Sequence, residues 1–127
     1  MALTETKIRA MRSEAGAAHD YLLVETCTRA LEGDDSSRRA CARILDERAT
    51  KARRRAMHVA RASTEIDALL LAETDHAAPD ARRELSAARC TLMACLDLYQ
   101  RGQRTDDEMA SRTNECRYVR EQWTQVG

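Results

Sequence analysis

The chain has 127 residues and carries 21 Lys+Arg against 21 Asp+Glu, so no long-range field draws the whole molecule to nucleic acid or to an anionic membrane. Its length suits one domain, residues 1–127, and is short of two. Hydrophobic residues make up 43%, but 22 are alanine and none is phenylalanine, so any core is thin; abundant helix formers beside scarce β-branched and aromatic residues give an all-α class.

Ile8, Met11, Ala15, Ala18, Leu22 and Thr26 or Cys27 recur at three and four residues, Thr4 or Thr6 offers a cap and Gly33 a stop, which predicts a first helix near Thr4 to Glu32. The turn "GDDSS" supplies Asp35 or Ser36 as the next N-cap and is short enough to make the second helix an antiparallel neighbour. From Ser36 to about Asp75 there is neither Gly nor Pro, and a helix of that span would be about 60 Å long at 1.5 Å per residue. Its expected packing stripe is Cys41, Leu45, Ala49, Ala52, Ala56, Val59, Ser63, Ile66 and Leu70, with a candidate kink where Ser63 or Thr64 could cap a new start.

Pro79 fits the first turn of a third helix whose inner face is Leu85, Ala88, Leu92, Cys95 or Leu96, and Tyr99, and Gly102 ends it. Thr105 and Glu108 make a capping box, with Asp106 and Asp107 in the positive first turn, for a fourth helix from about Asp106 to Gln125 that turns Met109, Thr113, Cys116, Val119 and Trp123 inward. The expected architecture is an antiparallel four-helix bundle of two hairpins. Its long second helix would overhang its neighbours around Ala68 to Ala72, presenting Leu69 and Leu71 to another chain, a second copy included.

Nine Lys/Arg lie between Arg38 and Arg61, against Asp46 and Glu47 alone. On a helix, Arg39, Arg43, Lys51, Arg54, His58 and Arg61 share the side opposite the alanine stripe, with Glu47 among them. Such a ridge can lie in water, meet an acidic protein, or carry guanidinium forks to phosphates with a strong salt dependence. One Trp and three Tyr leave little for base stacking, which disfavours single-stranded nucleic acid.

Arg53 to His58 has an R-x4-H spacing that resembles the one used by HEPN ribonucleases, an all-helical family. That resemblance would make His58 the acid or base and Arg53 the phosphate stabiliser. With 19 arginines and three histidines, however, composition alone supplies about one such spacing; Arg12 and His19 meet its looser form, and Arg54 replaces the polar residue the family often carries after its arginine. Glu73 and His76 form one E-x-x-H, but a di-iron bundle needs a second copy and two further inward Glu. No C-x-x-C, H-E-x-x-H, glycine-rich phosphate loop or G-x-S-x-G is present. The expectation is therefore no enzyme and no cofactor.

Cys27 and Cys41 are equally far from the first turn, and Cys90 and Cys116 from the second. Both hairpins thus set a cysteine at the height of a cysteine, two candidate disulfides that would suit an oxidising compartment, secreted or periplasmic. Read instead as small core residues, the five Cys suit a reducing one. No apolar run is long enough to cross a membrane, and "MALTETKIRA" lacks the pattern of a secretory signal; the expected location is cytoplasmic. The leading functional expectation is a helical module that binds another protein, acidic where the ridge is used, with nucleic acid second.

Overall fold

The computed structural model describes residues 3–125, which form five α-helices: α1 (Glu5–Ala17), α2 (Tyr21–Leu31), α3 (Asp35–Asp75), α4 (Pro79–Gln100) and α5 (Asp106–Gln125). The chain divides into two compact units, Met1–Ala52 and Arg53–Gly127, each with a buried cluster of its own.

The stretch Thr4 to Glu32 is two helices, not one. After α1 the His19 backbone turns left-handed at φ 59°, its N–H reaching Gly16 O and that of Asp20 reaching Ala15 O at 2.8 Å. Asp20 then caps α2 by accepting the Leu23 N–H at 3.3 Å. The same closure recurs at Gly33 (φ 96°) and Gly102 (φ 78°), where the N–H of Asp34 reaches Arg29 O and that of Gln103 reaches Leu98 O. All three are Schellman turns, two with the residue that adopts this backbone freely and one with a histidine that holds it under strain. The break resets the helical phase, so Leu22, expected inside, is 77% exposed, and Leu23 packs instead.

In the first unit Ile8, Met11, Cys27, Ala30 and Cys41 are buried together, with Leu23, Leu31, Ile44 and Leu45 against them. Asp34 caps α3, accepting from both the Ser37 N–H (3.0 Å) and its hydroxyl (2.6 Å), and these bonds hold its carboxyl below the usual range.

In the second unit α4 and α5 form an antiparallel hairpin. Its register is read from Tyr99 donating to Asp106 at 2.6 Å, Cys116 Sγ to Ala88 O at 3.3 Å, and the Trp123 indole N–H to Glu84 at 2.7 Å. The capping box forms, with Glu108 N–H on Thr105 Oγ1 and Thr105 N–H on Glu108 Oε1. Helix α3 continues through Ser63 and Thr64 without interruption. It buries Ala62, Glu65 and Leu69, one residue earlier than the expected Ser63, Ile66 and Leu70.

Two further expectations change. Of the two residues expected to be presented around Ala68 to Ala72, Leu69 is fully buried in the second core, with Ala72 packed against it, whereas Leu71 is 64% exposed and Leu70 beside it 48%. The bare part is residues 50–57, every one exposed, since the first cluster ends on α3 at Leu45 and the second begins at Val59. Ala52 and Ala56 therefore face water.

All five cysteines are free thiols, so neither expected disulfide is formed. Cys27 and Cys41 do meet in the first core, and burial, followed by the Cys41 thiol beside it, pushes the Cys27 pKa up from 9.0 to about 11. Cys90 has the right height for Cys116 but the wrong face. The inner face of α4 is Leu85, Ala88, Leu92, Cys95 and Tyr99, and Cys90, two residues from either neighbour in that series, is exposed.

Three outcomes are expected. His19→Gly should stabilise the protein by about 0.5–1 kcal/mol by removing left-handed strain, and Gly33→Ala should destabilise it by about 1 kcal/mol, both read by thermal unfolding. Brief alkylation of the folded chain should label Cys90 first and all five thiols only in denaturant, counted by intact mass. The Cys27 thiol ionises near 9 when unfolded and near 11 when folded, so the stability it contributes is complete below pH 9 and declines as pH rises from 9 to 11.

Candidate interaction surface

Among the described residues, ten arginines form ion pairs with carboxylates. None belongs to the expected basic ridge. In the first unit Arg39, Arg43 and Lys51 are exposed; Arg39 donates only to the Asp35 carbonyl at 3.4 Å, and no hydrogen bond or ion pair among the described residues engages the Arg43 or Lys51 side chain.

The second unit supplies Arg54 and Arg61, exposed and likewise without such a partner among the described residues. His58 differs from both. It is half-buried, with its ring edge-on to Tyr99 at 6.2 Å, and Arg55 lies over the same Tyr99 ring at 5.7 Å while donating to the Gln100 carbonyl. Tyr99, 4% exposed, has its pKa pushed up to about 12 by burial and then by its bond to Asp106. His58 is thus placed as part of an aromatic cluster that closes the α4–α5 turn against α3. The Glu73–His76 pair is also engaged locally: Glu73 accepts from Arg89 at 3.0 Å, and His76 accepts the Ala78 N–H at 3.3 Å with its ring against Trp123.

Arg54, Met57, Arg61, Thr64, Ala68 and Leu71 are spaced three and four apart and so share one face of α3. Met57 is 39% and Leu71 64% exposed. This face borders the groove between α3 and α5, which has two halves. One, about 450 Å³, is lined by Arg61, Thr64, Asn114 and Arg117. The other, about 500 Å³, is lined chiefly by Ala68, Leu71, Ala72 and Trp123, with Asp75 and His76 at the α3 end.

The halves meet at Arg120, which lines both, beside Glu65, which lines the first. Arg120 donates to Glu65 through two nitrogens at 2.6 and 3.0 Å. Glu65 is 5% exposed, so its charge is carried inside the unit by this fork, and the same bond raises the Arg120 pKa.

Of the residues expected to bind a partner, Arg54, Arg61 and Leu71 thus fall on one groove face, Arg39, Arg43 and Lys51 lie in the other unit, and Leu69 and His58 are withdrawn from solvent in whole or part. Asn114, Arg117 and Trp123 were not reached from the ridge. Glu65, a charge at a core position of α3, was the available signal. No helix among the described residues is long and apolar enough to cross a membrane. Comparison with protein-family models, with curated proteins and with solved structures finds no match.

Arg120→Met should destabilise the second unit by about 3 kcal/mol, because it leaves the Glu65 carboxylate buried without its partner. Adding Glu65→Leu should recover most of that loss. Denaturant unfolding followed by Trp123 fluorescence measures both.

Proposed function

We propose that the protein is a non-enzymatic docking module that binds an acidic surface of another protein through the exposed α3 face of its second unit. The observation that carries this reading is that Arg54 and Arg61 stand exposed and unengaged on either side of Met57, in a chain whose other arginines are largely paired. Cations already committed to neighbours gain little from a partner; these two gain a full ion pair each, and steering by them raises the association rate.

Protein is favoured over nucleic acid by what lies among the cations. Met57 and Leu71 put apolar area on the same face, and Arg with Met is the composition of protein interfaces. A phosphate backbone would find no use for that area and would need more cations than one short face offers. The first unit's Arg39, Arg43 and Lys51 have Glu47 exposed among them, which further weakens attraction for a polyanion.

The test begins with capture of partners from a native lysate, followed by reconstituted binding of each purified candidate to the full chain and to two charge-reversal variants. Arg54→Glu with Arg61→Glu should weaken the partner at least tenfold, and Arg43→Glu with Lys51→Glu should change it less than threefold. Duplex DNA and structured RNA are titrated in parallel at two salt concentrations. Tight nucleic-acid binding with a steep salt slope would overturn the proposal, as would a partner indifferent to Arg54 and Arg61. Light scattering on the free chain reports whether the surface is taken by a second copy instead.

A further inference from the structure

The geometry points to the form of that partner: an amphipathic helix lying in the α3–α5 groove, with an acidic side chain against Arg61 and Arg117 and an apolar side chain against Leu71 and Trp123, about three turns apart. This rests on the docking reading above and adds to it the partner's secondary structure, its residue types and their spacing.

The two halves of the groove differ in chemistry, and each asks for a different group. In the basic half Arg61 has no partner among the described residues, and Arg117 has only Glu121 at 3.8 Å, with both side chains about half exposed. A contact that loose contributes little and yields to a better-placed carboxylate. The buried Glu65 is already matched by Arg120, so Arg61 and Arg117 are the surplus charge there.

In the other half Leu71 is 64% exposed across from Trp123, whose indole is held by its bond to Glu84 at 2.7 Å and by the edge of His76 at 5.7 Å. An anchor fixed before binding loses little freedom when a ligand arrives. A carboxylate alone would leave this half wet, and an apolar group alone would leave the arginines unused.

The spacing is set by the groove's own helix. Arg61 and Leu71 are ten residues apart on α3, which is about 15 Å at 1.5 Å per residue. A partner helix lying alongside meets both with residues at i and i+11, which return to the same face after about 1,100°. Over the Glu65–Arg120 bridge it can pass only small side chains at i+4 and i+7. An extended strand covers 15 Å in about four to five residues and could match the spacing at i and i+4, but two flanking α-helices offer it no free backbone edge to pair with, whereas a helix satisfies its own backbone groups, so the helix is the form that fits both halves. Laying one apolar face of a helix into a groove, with anchors read at helical spacing, is an established mode of recognition.

Trp123 is the chain's one tryptophan and lines the apolar half, so the full-length protein reports its own occupancy. The probe is a synthetic helical peptide with Glu at i, Ala at i+4 and i+7, and Leu at i+11. Its control has the same composition with the Leu moved to i+13, on the opposite face.

The expected result is saturable binding, on the order of 10 µM, with a blue shift of Trp123 emission, and at least tenfold weaker binding of the control. Leu71→Glu, at an exposed position where folding is checked by circular dichroism, should remove the blue shift and weaken binding at least tenfold. Arg61→Glu with Arg117→Glu should weaken it comparably and abolish its salt dependence. Equal binding of the two peptides, or an unmoved Trp123 emission at saturating peptide, would overturn the inference. A natural acidic partner that needs Arg54 and Arg61 but ignores Leu71→Glu would overturn the groove while leaving the docking reading in place.

Discussion

The fork of Arg120 around the Glu65 carboxylate is the contact on which the second unit's surface depends. A carboxylate 5% exposed is tolerated in a protein interior only when a cation and its hydrogen bonds replace the lost water. Here the replacement comes from α5, so the requirement that keeps Glu65 satisfied also holds α5 at a set height beside α3. Val119 and Trp123 are positioned by the same register, Trp123 packing against the core while its N–H reaches Glu84. Between the two halves of the groove the helices are bridged by the long polar side chains of Glu65 and Arg120, while Ala62 and Leu69 of α3 share the apolar core beneath with Met109 and Cys116 of α5.

Composition explains why such a bridge is useful. With 22 alanines and no phenylalanine, the buried side chains that fill the second core are few and mostly of leucine size: Leu69, Leu85, Leu92 and Met109 with Tyr99. Small residues let helices approach, but they offer little area each at about 25 cal/mol per Å². A doubly hydrogen-bonded ion pair between helices adds directionality that a methyl-lined interface lacks. Specificity of register is a better-attested use of buried charge than raw stability.

Much of the fold was legible because its boundaries are chemical. Gly33, Gly102, Pro79 and the Thr105–Glu108 box placed four of the helix ends to within a residue or two. The break at His19 was not legible, since the turn is the same one that glycine closes elsewhere and histidine gives no such signal; only Asp20, able to cap a second helix, hinted at it. Cys90 was misplaced because equal distance from a turn fixes height alone, whereas the series Leu85, Ala88, Leu92 fixes the face. In α3 the apolar pattern read one residue late: the buried position between Ala62 and Leu69 holds a charge, and a search for apolar periodicity steps over it. The groove was invisible for a related reason. Periodicity shows which side of a helix is inward, but which two non-adjacent helices flank an opening depends on packing between distant parts of the chain.

The basic stretch on α3 owes its meaning to that packing. In sequence, Lys51, Arg53, Arg54 and Arg55 form one run, yet Arg55 is engaged by Tyr99 and the Gln100 carbonyl, whereas Arg54 and Arg61 have no hydrogen-bond or ion-pair partner among the described residues and stand exposed beside Met57. A cationic face by itself attracts any polyanion and discriminates little among them. An apolar slot by itself accepts any hydrophobic side chain of suitable size. Joined at a fixed separation by the Glu65–Arg120 bridge, each half penalises what the other would admit: a uniformly acidic ligand leaves Leu71 and Trp123 unfilled, and a uniformly apolar one strands Arg61 and Arg117 without water. On the proposed docking reading, discrimination comes from the separation between the two halves, which is how a small, net-neutral molecule would be selective without a deep pocket.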